Sequence, residues 1–178
     1  MIYGMAANAY RDKLFVDHKI DRPLHDCRED IKKFYNTYSG INPWKNRVWD
    51  EGRRFGFLRS RFGRRRHLNF RIDDQTERSY AERQGVNFLI QGDVADIVKA
   101  AMIQLDESVE SFGAIMIGQV HDSLVFEVEE DRVDECAAHV KSTMENCIKL
   151  SVPVLAEVKT GASWGEGIDW QPSNQNSN

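Results

Sequence analysis

Cysteine is scarce and scattered: Cys27, Cys136 and Cys147 form an odd set with no C-x-x-C pair. This excludes the paired framework of a disulfide-stapled secreted domain and the ligand spacing of a structural zinc site. Long apolar runs are missing too. No stretch approaches the roughly 18 residues a membrane span needs, and Met1-Ile2-Tyr3-Gly4-Met5 lacks the basic region and cleavage site of a signal peptide. There is no internal repeat, and the only low-complexity stretch is the polar tail 171–178, with nothing apolar to bury and therefore expected to be disordered. The composition, 41% apolar and 29% charged over 178 residues, carries a core for one compact domain or slightly more. The expected setting is a reducing cytoplasm, with no membrane partner.

Charge of either sign is unevenly placed. Residues 1–52 hold 9 Lys/Arg and 8 Asp/Glu, residues 53–83 hold 10 and 4, and residues 84–178 hold 5 and 16. All ten cations of the middle block are arginine, including Arg64-Arg65-Arg66, interleaved with Phe55, Phe57, Phe62 and His67. Arginine offers phosphate a rigid fork of donors, so the block fits a nucleic-acid contact in an otherwise acidic protein. The same pattern also suits a solvated surface strand.

Residues 5–18 read as a helix. A second runs from Asp26 as N-cap through Ile31, Phe34, Tyr35 and Tyr38 to Gly40, and Asn42-Pro43-Trp44 restarts a third that ends near Gly52. Phe55–Arg59 and Arg64–Phe70 flank Phe62-Gly63 as a hairpin. From Thr76 to Phe112 the pattern is helical, with Gly92-Asp93 placed to end one helix and cap the next, or to kink a single one. Residues 114–120 and 124–128 are strand-like around His121-Asp122-Ser123. A helix over 131–150 and a strand over 152–159 complete an α+β pattern with a mostly antiparallel sheet.

Two places carry chemistry. An Asp held between two apolar strands is a rigidly placed hard-oxygen ligand of the kind Mg²⁺ takes, although Asp and Ser are also ordinary turn residues. On the long helix, Arg83, Asn87 and Gln91 fall at i, i+4 and i+8 and make one donor-rich stripe, while Val86, Leu89 and Ile90 face a core. Every Watson–Crick pair shows minor-groove acceptors at equivalent positions, so such donors can test pair geometry without reading sequence. Ordinary exposed polar residues would give the same stripe.

In chain order, several segments resemble the C-terminal part of the polymerase domain of family A DNA polymerases, the bacterial polymerase I and phage replicative group. Ile2-Tyr3-Gly4-Met5 is similar to the end of the fingers helix, and Phe62-Gly63-Arg64-Arg65-Arg66 to the family's hairpin. Glu82-Arg83, Asn87, Gln91-Gly92 and Ala95-Asp96-Ile97 resemble its palm helix, and Gln119 to Glu127 the motif that carries a catalytic carboxylate. Val152 to Val158, with Thr160-Gly161 and Trp164, resembles the C-terminal strand and its end. The resemblance covers about residues 1–165.

It implies a helical fingers part over 1–52, a palm over 53–170 with an antiparallel sheet packed with helices, and the tail 171–178. It implies a catalytic set of Asp122, His121 and Ser123, with Asp122 on a catalytic Mg²⁺ and His121 near the primer terminus. Arg83, Asn87 and Gln91 would line the minor groove of primer–template DNA, Arg64, Arg65 and Arg66 would bind DNA, and Tyr3 would sit beside the incoming dNTP. In the two-metal scheme one ion activates the primer 3′-hydroxyl and the other holds the triphosphate, about 4 Å apart. The family pattern has Glu after the catalytic Asp where Ser123 stands here, a hydroxyl that brings no charge.

The family's other catalytic aspartate and the lysine and arginine that hold the triphosphate belong to segments N-terminal to this sequence. The expected function is therefore a C-terminal subunit or fragment of a DNA-directed DNA polymerase, from a split or interrupted gene of phage type, working with an N-terminal polymerase fragment and a two-ion Mg²⁺ site completed by it. The alternatives are a non-catalytic DNA-binding or assembly subunit on the palm scaffold, and an inactive remnant.

Overall fold

The computed structural model describes residues 4–171. The chain forms two compact units, Met1–Asp93 and Val94–Asn178, each with its own apolar cluster.

The first unit opens with helices α1 (Ala7–His18), α2 (Leu24–Thr37) and α3 (Ile41–Phe55). Asp26 is not the cap of α2. The helix starts earlier, after Pro23 at φ −55, and Asp26 lies in the first turn, where its charge complements the helix dipole. Pro43 is tolerated in α3 because a first-turn residue has no intrahelical N–H bond to lose. This helix runs three residues past Gly52. Its last carbonyls find partners: Arg71 Nε donates to Arg53 O at 2.6 Å and Nη2 to Arg54 O at 3.0 Å. Gly56, in the left-handed region at φ +74, donates its N–H to Gly52 O and ends it.

The expected arginine hairpin is present: β1 (Phe57–Arg59) pairs antiparallel with β2 (Arg65–His67), in the register Phe57↔His67, Leu58↔Arg66, Arg59↔Arg65. Phe70, 1% exposed, lies between two helix glycines. A Cβ on Gly52 would overlap its ring, and one on Gly85 would lie 2.7 Å from Leu58 Cδ1 and 3.0 Å from Phe70 Cζ. These positions hold glycine because the ring occupies the space a side chain would need. Val48, Leu58, Ala81, Val86 and Phe88 complete the cluster, with Trp44 and Trp49 against it.

Helix α4 spans Gln75–Asp106. Asp74 caps it, its Oδ1 accepting the N–H of Thr76 (2.8 Å) and Glu77 (2.9 Å). The helix does not end at Gly92: one glycine costs only about 1 kcal/mol relative to alanine, too little to interrupt a helix of this length. Asp93 caps no second helix, and its Oδ1 instead accepts Arg61 N–H at 3.1 Å.

In the second unit Ala101 and Leu105 of α4, Val109 and Ala114 pack with Cys136 and Val140 of α5 (Val133–Asn146). Strands β3 (Ile115–Val120) and β4 (Ser123–Glu127) form the second hairpin, and Met116, Leu124 and Phe126 lie against this cluster. Burial pushes the Cys136 and Cys147 thiols up, which suits packing rather than nucleophilic work.

The expected strand over 152–159 shrinks to β5 (Lys159–Thr160), paired with β6 (Ile168–Asp169). Side-chain alternation persists over 153–158, but among the described residues no strand edge pairs with it. Two side chains of α5 take the place of a ladder: Glu145 Oε1 accepts Ala156 N–H at 3.0 Å, and Lys141 Nζ donates to Ala156 O. Among the described residues the strands pair antiparallel, as three two-stranded ribbons. No helix among the described residues is long and apolar enough to cross a membrane.

Candidate functional site

The acidic hairpin belongs to the second unit. Its inner residues bury apolar surface, which fixes the register, since a slip of one residue would turn Leu124 and Phe126 outward. The pairing runs Ile115↔Glu127 and Met116↔Phe126, shifts at Ile117, then continues Gly118↔Val125 to Val120↔Ser123. Ser123 is therefore a strand residue, and the tip is His121-Asp122 alone. His121 takes a left-handed backbone at φ 55, a conformation that fits a two-residue loop to the twist of its strands. Gln119 Nε2 holds it by donating to His121 O at 3.0 Å. His121, Asp122 and Ser123 are all exposed. A left-handed non-glycine residue costs about 1–2 kcal/mol, and here that cost sets an aspartate at the apex of a stiff ribbon.

Asp122 suits one position in an Mg²⁺ shell, being a hard, exposed oxygen donor. A complete shell is not available: among the described residues no group of three or more His, Cys, Asp or Glu could hold a metal. Asp122 can serve as one ligand of such a site.

The donor stripe belongs to the first unit. Arg83, Asn87 and Gln91 are all exposed, while Val86 and Phe88 on the other side of the helix are buried. Glu82 fixes the helix rotation, because its Oε1 accepts from Arg53 Nη1 at 3.2 Å and its carbonyl accepts Trp49 Nε1 at 3.2 Å. Gly4, at φ +82, lies where a Cβ would stand 3.4 Å from Arg83 Cγ, so the chain passes close along that arginine's stem. Arg83 and Asn87 line an open depression together with Tyr80 and Gln84. Tyr80 and Gln84 escaped the sequence reading, although their signal is there: Tyr80 is three residues before Arg83, and Gln84 three before Asn87.

The arginines 64–66 sit on β2 and the turn before it. Ser60 organises the turn: its N–H donates to Arg64 O (2.8 Å), its carbonyl accepts Gly63 N–H (3.0 Å), and its hydroxyl accepts Arg64 N–H (3.2 Å). Arg66 Nη2 reaches Gln84 Oε1 at 3.4 Å, and its guanidinium lies 5.9 Å from the Phe88 ring centre. Arg65 turns the other way, 5.1 Å from the Phe57 ring centre. Arg66 is thus joined to the helix of Arg83, Asn87 and Gln91 in one unit, whereas His121, Asp122 and Ser123 stand in the other. Tyr3 and residues 172–178 of the expected tail lie outside the described residues.

Comparison with known proteins gives the family. The family described as DNA polymerase family A matches residues 1–166, and the chain belongs to it. It is 36% identical over 167 residues to the thermostable DNA polymerase I of Thermus filiformis, covering 93% of this chain and 19% of that protein. It is 34% identical to the DNA polymerase theta of Drosophila melanogaster, over 93% of this chain and 8% of that protein. A solved structure, the POL domain of Pol1 from M. smegmatis in complex with DNA primer-template and dNTP, superposes with a TM-score of 0.72 at 32% identity, covering 85% of this chain and 26% of that one. The chain therefore spans about a fifth or less of the length of the curated relatives named here.

Proposed function

We propose that this chain is the C-terminal palm portion of a DNA-directed DNA polymerase and supplies one catalytic carboxylate, Asp122, for template-directed nucleotidyl transfer. The observation that carries the reading is the hairpin apex, where a strained His121 and a half-buried β3–β4 face hold Asp122 exposed in a chain of this family. His121 lies at the primer terminus, and the Ser123 hydroxyl, which brings no charge, orients water near Asp122. Arg83, Asn87 and Gln91 contact the minor groove of primer–template DNA, Arg64, Arg65 and Arg66 contact its phosphates, and Tyr3 sits beside the dNTP. Residues 1–52 act as the end of the fingers and 53–170 as the palm. Bound Mg²⁺ would supply activation of the 3′-hydroxyl and neutralisation of the triphosphate.

The second carboxylate and the triphosphate-binding cations come from the part of a family A polymerase that lies N-terminal to the segment matched here, whether in the same polypeptide or in a separate one. The isolated chain is expected not to extend a primer, and addition of an N-terminal family A fragment to restore extension. Asp122→Asn in that assembly should lower the rate at least about a thousand-fold, the several kcal/mol that a metal-borne charge represents. Extension by the purified chain alone, or an active Asp122→Asn assembly, would sink this reading. Binding of primer–template with no extension in any assembly would instead favour a DNA-binding subunit on the palm scaffold.

In the same assembly Gln91→Ala should slow extension of matched ends about ten-fold more than mismatched ends, since a mispair already displaces the acceptor and 1.4 kcal/mol is a factor of ten. Single-turnover rates on the two primers measure it, and equal slowing would leave Gln91 a purely structural role.

A further inference from the structure

We propose that the outward face of the β1–β2 ribbon is a stacking platform for single-stranded nucleic acid. Strand alternation defines this face. Leu58 is fully buried and its cross-strand partner Arg66 lies toward Phe88, so the residues of opposite phase, Phe57, Arg59, Arg65 and His67, are the outer ones. Phe57 and His67 are directly paired, with ring centres 5.5 Å apart. Phe55, 53% exposed just before the ribbon, extends the row at 6.1 Å from Phe57. Guanidinium groups accompany the rings: Arg54 lies 5.0 Å from the centre of Phe55 and Arg65 5.1 Å from that of Phe57.

Two features of this face oppose folding in the free protein. Phe55 and His67 are left toward water beside the half-buried Phe57, and Arg59 stands directly opposite Arg65, a like-charge pair that destabilises a ribbon. Among the described residues neither arginine forms an ion pair with a carboxylate. A single ligand class answers both. Phosphate between the two arginines turns repulsion into bridging, and an unpaired base has a free π-face to lay on the rings. Duplex DNA offers the phosphates but keeps its base faces inside the stack, which is why the occupant is a single strand. The inference stands on the ribbon's own chemistry and does not need the catalytic reading.

Fluorescence anisotropy of the full chain tests it, with labelled oligothymidylate, oligodeoxyuridylate and oligouridylate of about a dozen nucleotides, within a usual site size. The controls are an abasic oligomer with the same phosphates, a duplex of equal length, and polyglutamate as competitor. Base-bearing single strands should bind at least about ten-fold tighter than the abasic one, and the ratio of oligodeoxyuridylate to oligouridylate affinity, which isolates the 2′-hydroxyl, identifies which sugar the platform prefers. Phe57→Leu and Phe55→Leu should each shrink that base-dependent advantage and leave the salt slope unchanged, whereas Arg59→Ala and Arg65→Ala should each lower the slope by about 0.7.

Circular dichroism melting verifies folding, and the exposed Phe55 carries the result should the half-buried Phe57 not tolerate exchange. Equal binding of abasic and base-bearing strands, duplex preference with both Phe variants silent, or equal displacement by polyglutamate would each overturn the platform. Intact oligothymidylate binding in an assembly that never extends a primer would sink the polymerase reading and leave the platform standing.

Discussion

The two principal hairpins share one construction and carry opposite chemistry. Each is a short antiparallel ribbon with a buried face, one on the Phe70 cluster and one on the Leu105 cluster. The first lies in a unit with 19 Lys/Arg against 13 Asp/Glu, the second in a unit with 5 against 15. The arginine hairpin is tied down at its turn by Ser60 and by Asp93, which accepts Arg61 N–H. The acidic hairpin relies on Gln119 and a left-handed His121. The difference lies in what each needs to act. Phosphate contacts add one arginine at a time, so a cationic ribbon can bind on its own. An Mg²⁺ site needs several oxygens together, so a lone Asp122 acts only once further ligands arrive.

The strongest way to break the comparison is to collapse one of the two supports. Phe70→Ala should destabilise the first unit by about 3–5 kcal/mol, because it empties a site walled by Gly52 and Gly85, whose rigid backbones leave little to fill the space. Urea unfolding followed by tryptophan fluorescence, with Trp44 and Trp49 against that cluster, reads the loss. An unchanged midpoint would mean the ring is not the keystone of its cluster.

A smaller effect sharpens the contrast in charge. Arg64→Ala and Arg66→Ala should each weaken binding of all duplex sequences alike and lower the salt slope by about 0.9, while Asp122→Asn leaves both quantities unmoved. Altered sequence preference at constant slope would contradict a phosphate role for the arginines.

The smallest effect lies in the acidic unit. The Lys141 ammonium and then the Ala156 N–H, both bonded to the Glu145 carboxylate, hold it below the usual carboxylate range. A group depressed in the folded state adds stability above its unfolded value and loses it as pH falls through the folded one. The wild-type chain should therefore lose stability on acidification below the ordinary carboxylate range, and Glu145→Gln should cost about 1 kcal/mol at neutral pH and flatten that part of the profile. Thermal melts from neutral to acidic pH measure it, and parallel curves for the two proteins would contradict the role.

Much of this was legible residue by residue. The two hairpins, the donor stripe of Arg83, Asn87 and Gln91, and the core assignment of Val86 all follow from side-chain periods of 2 and 3.6, which depend only on local geometry. Of the two readings left open at Gly92, the single helix is the one found, because a glycine's local preference for ending a helix is weak beside the hydrogen bonds of an intact one. Val152 to Val158 misled because alternation marks a segment able to pair, while pairing needs a neighbour. Asp26 misled because Pro23 had already set the helix start.

From sequence alone came the α+β class, the segregation of arginine from carboxylate and the place of Asp122 between two strands, since each depends on residue type and spacing, while the family came from the resemblance of whole motifs in chain order. The tertiary structure decided which arginine looks inward to Gln84 and which outward to Phe57. It decided that Gly52 and Gly85 exist to admit Phe70, that Arg71 closes α3, and that two side chains of α5 hold the Ala156 peptide in place of a strand. These are contacts between residues distant along the chain, and periodicity, which describes only a residue's neighbours, has no means of specifying them.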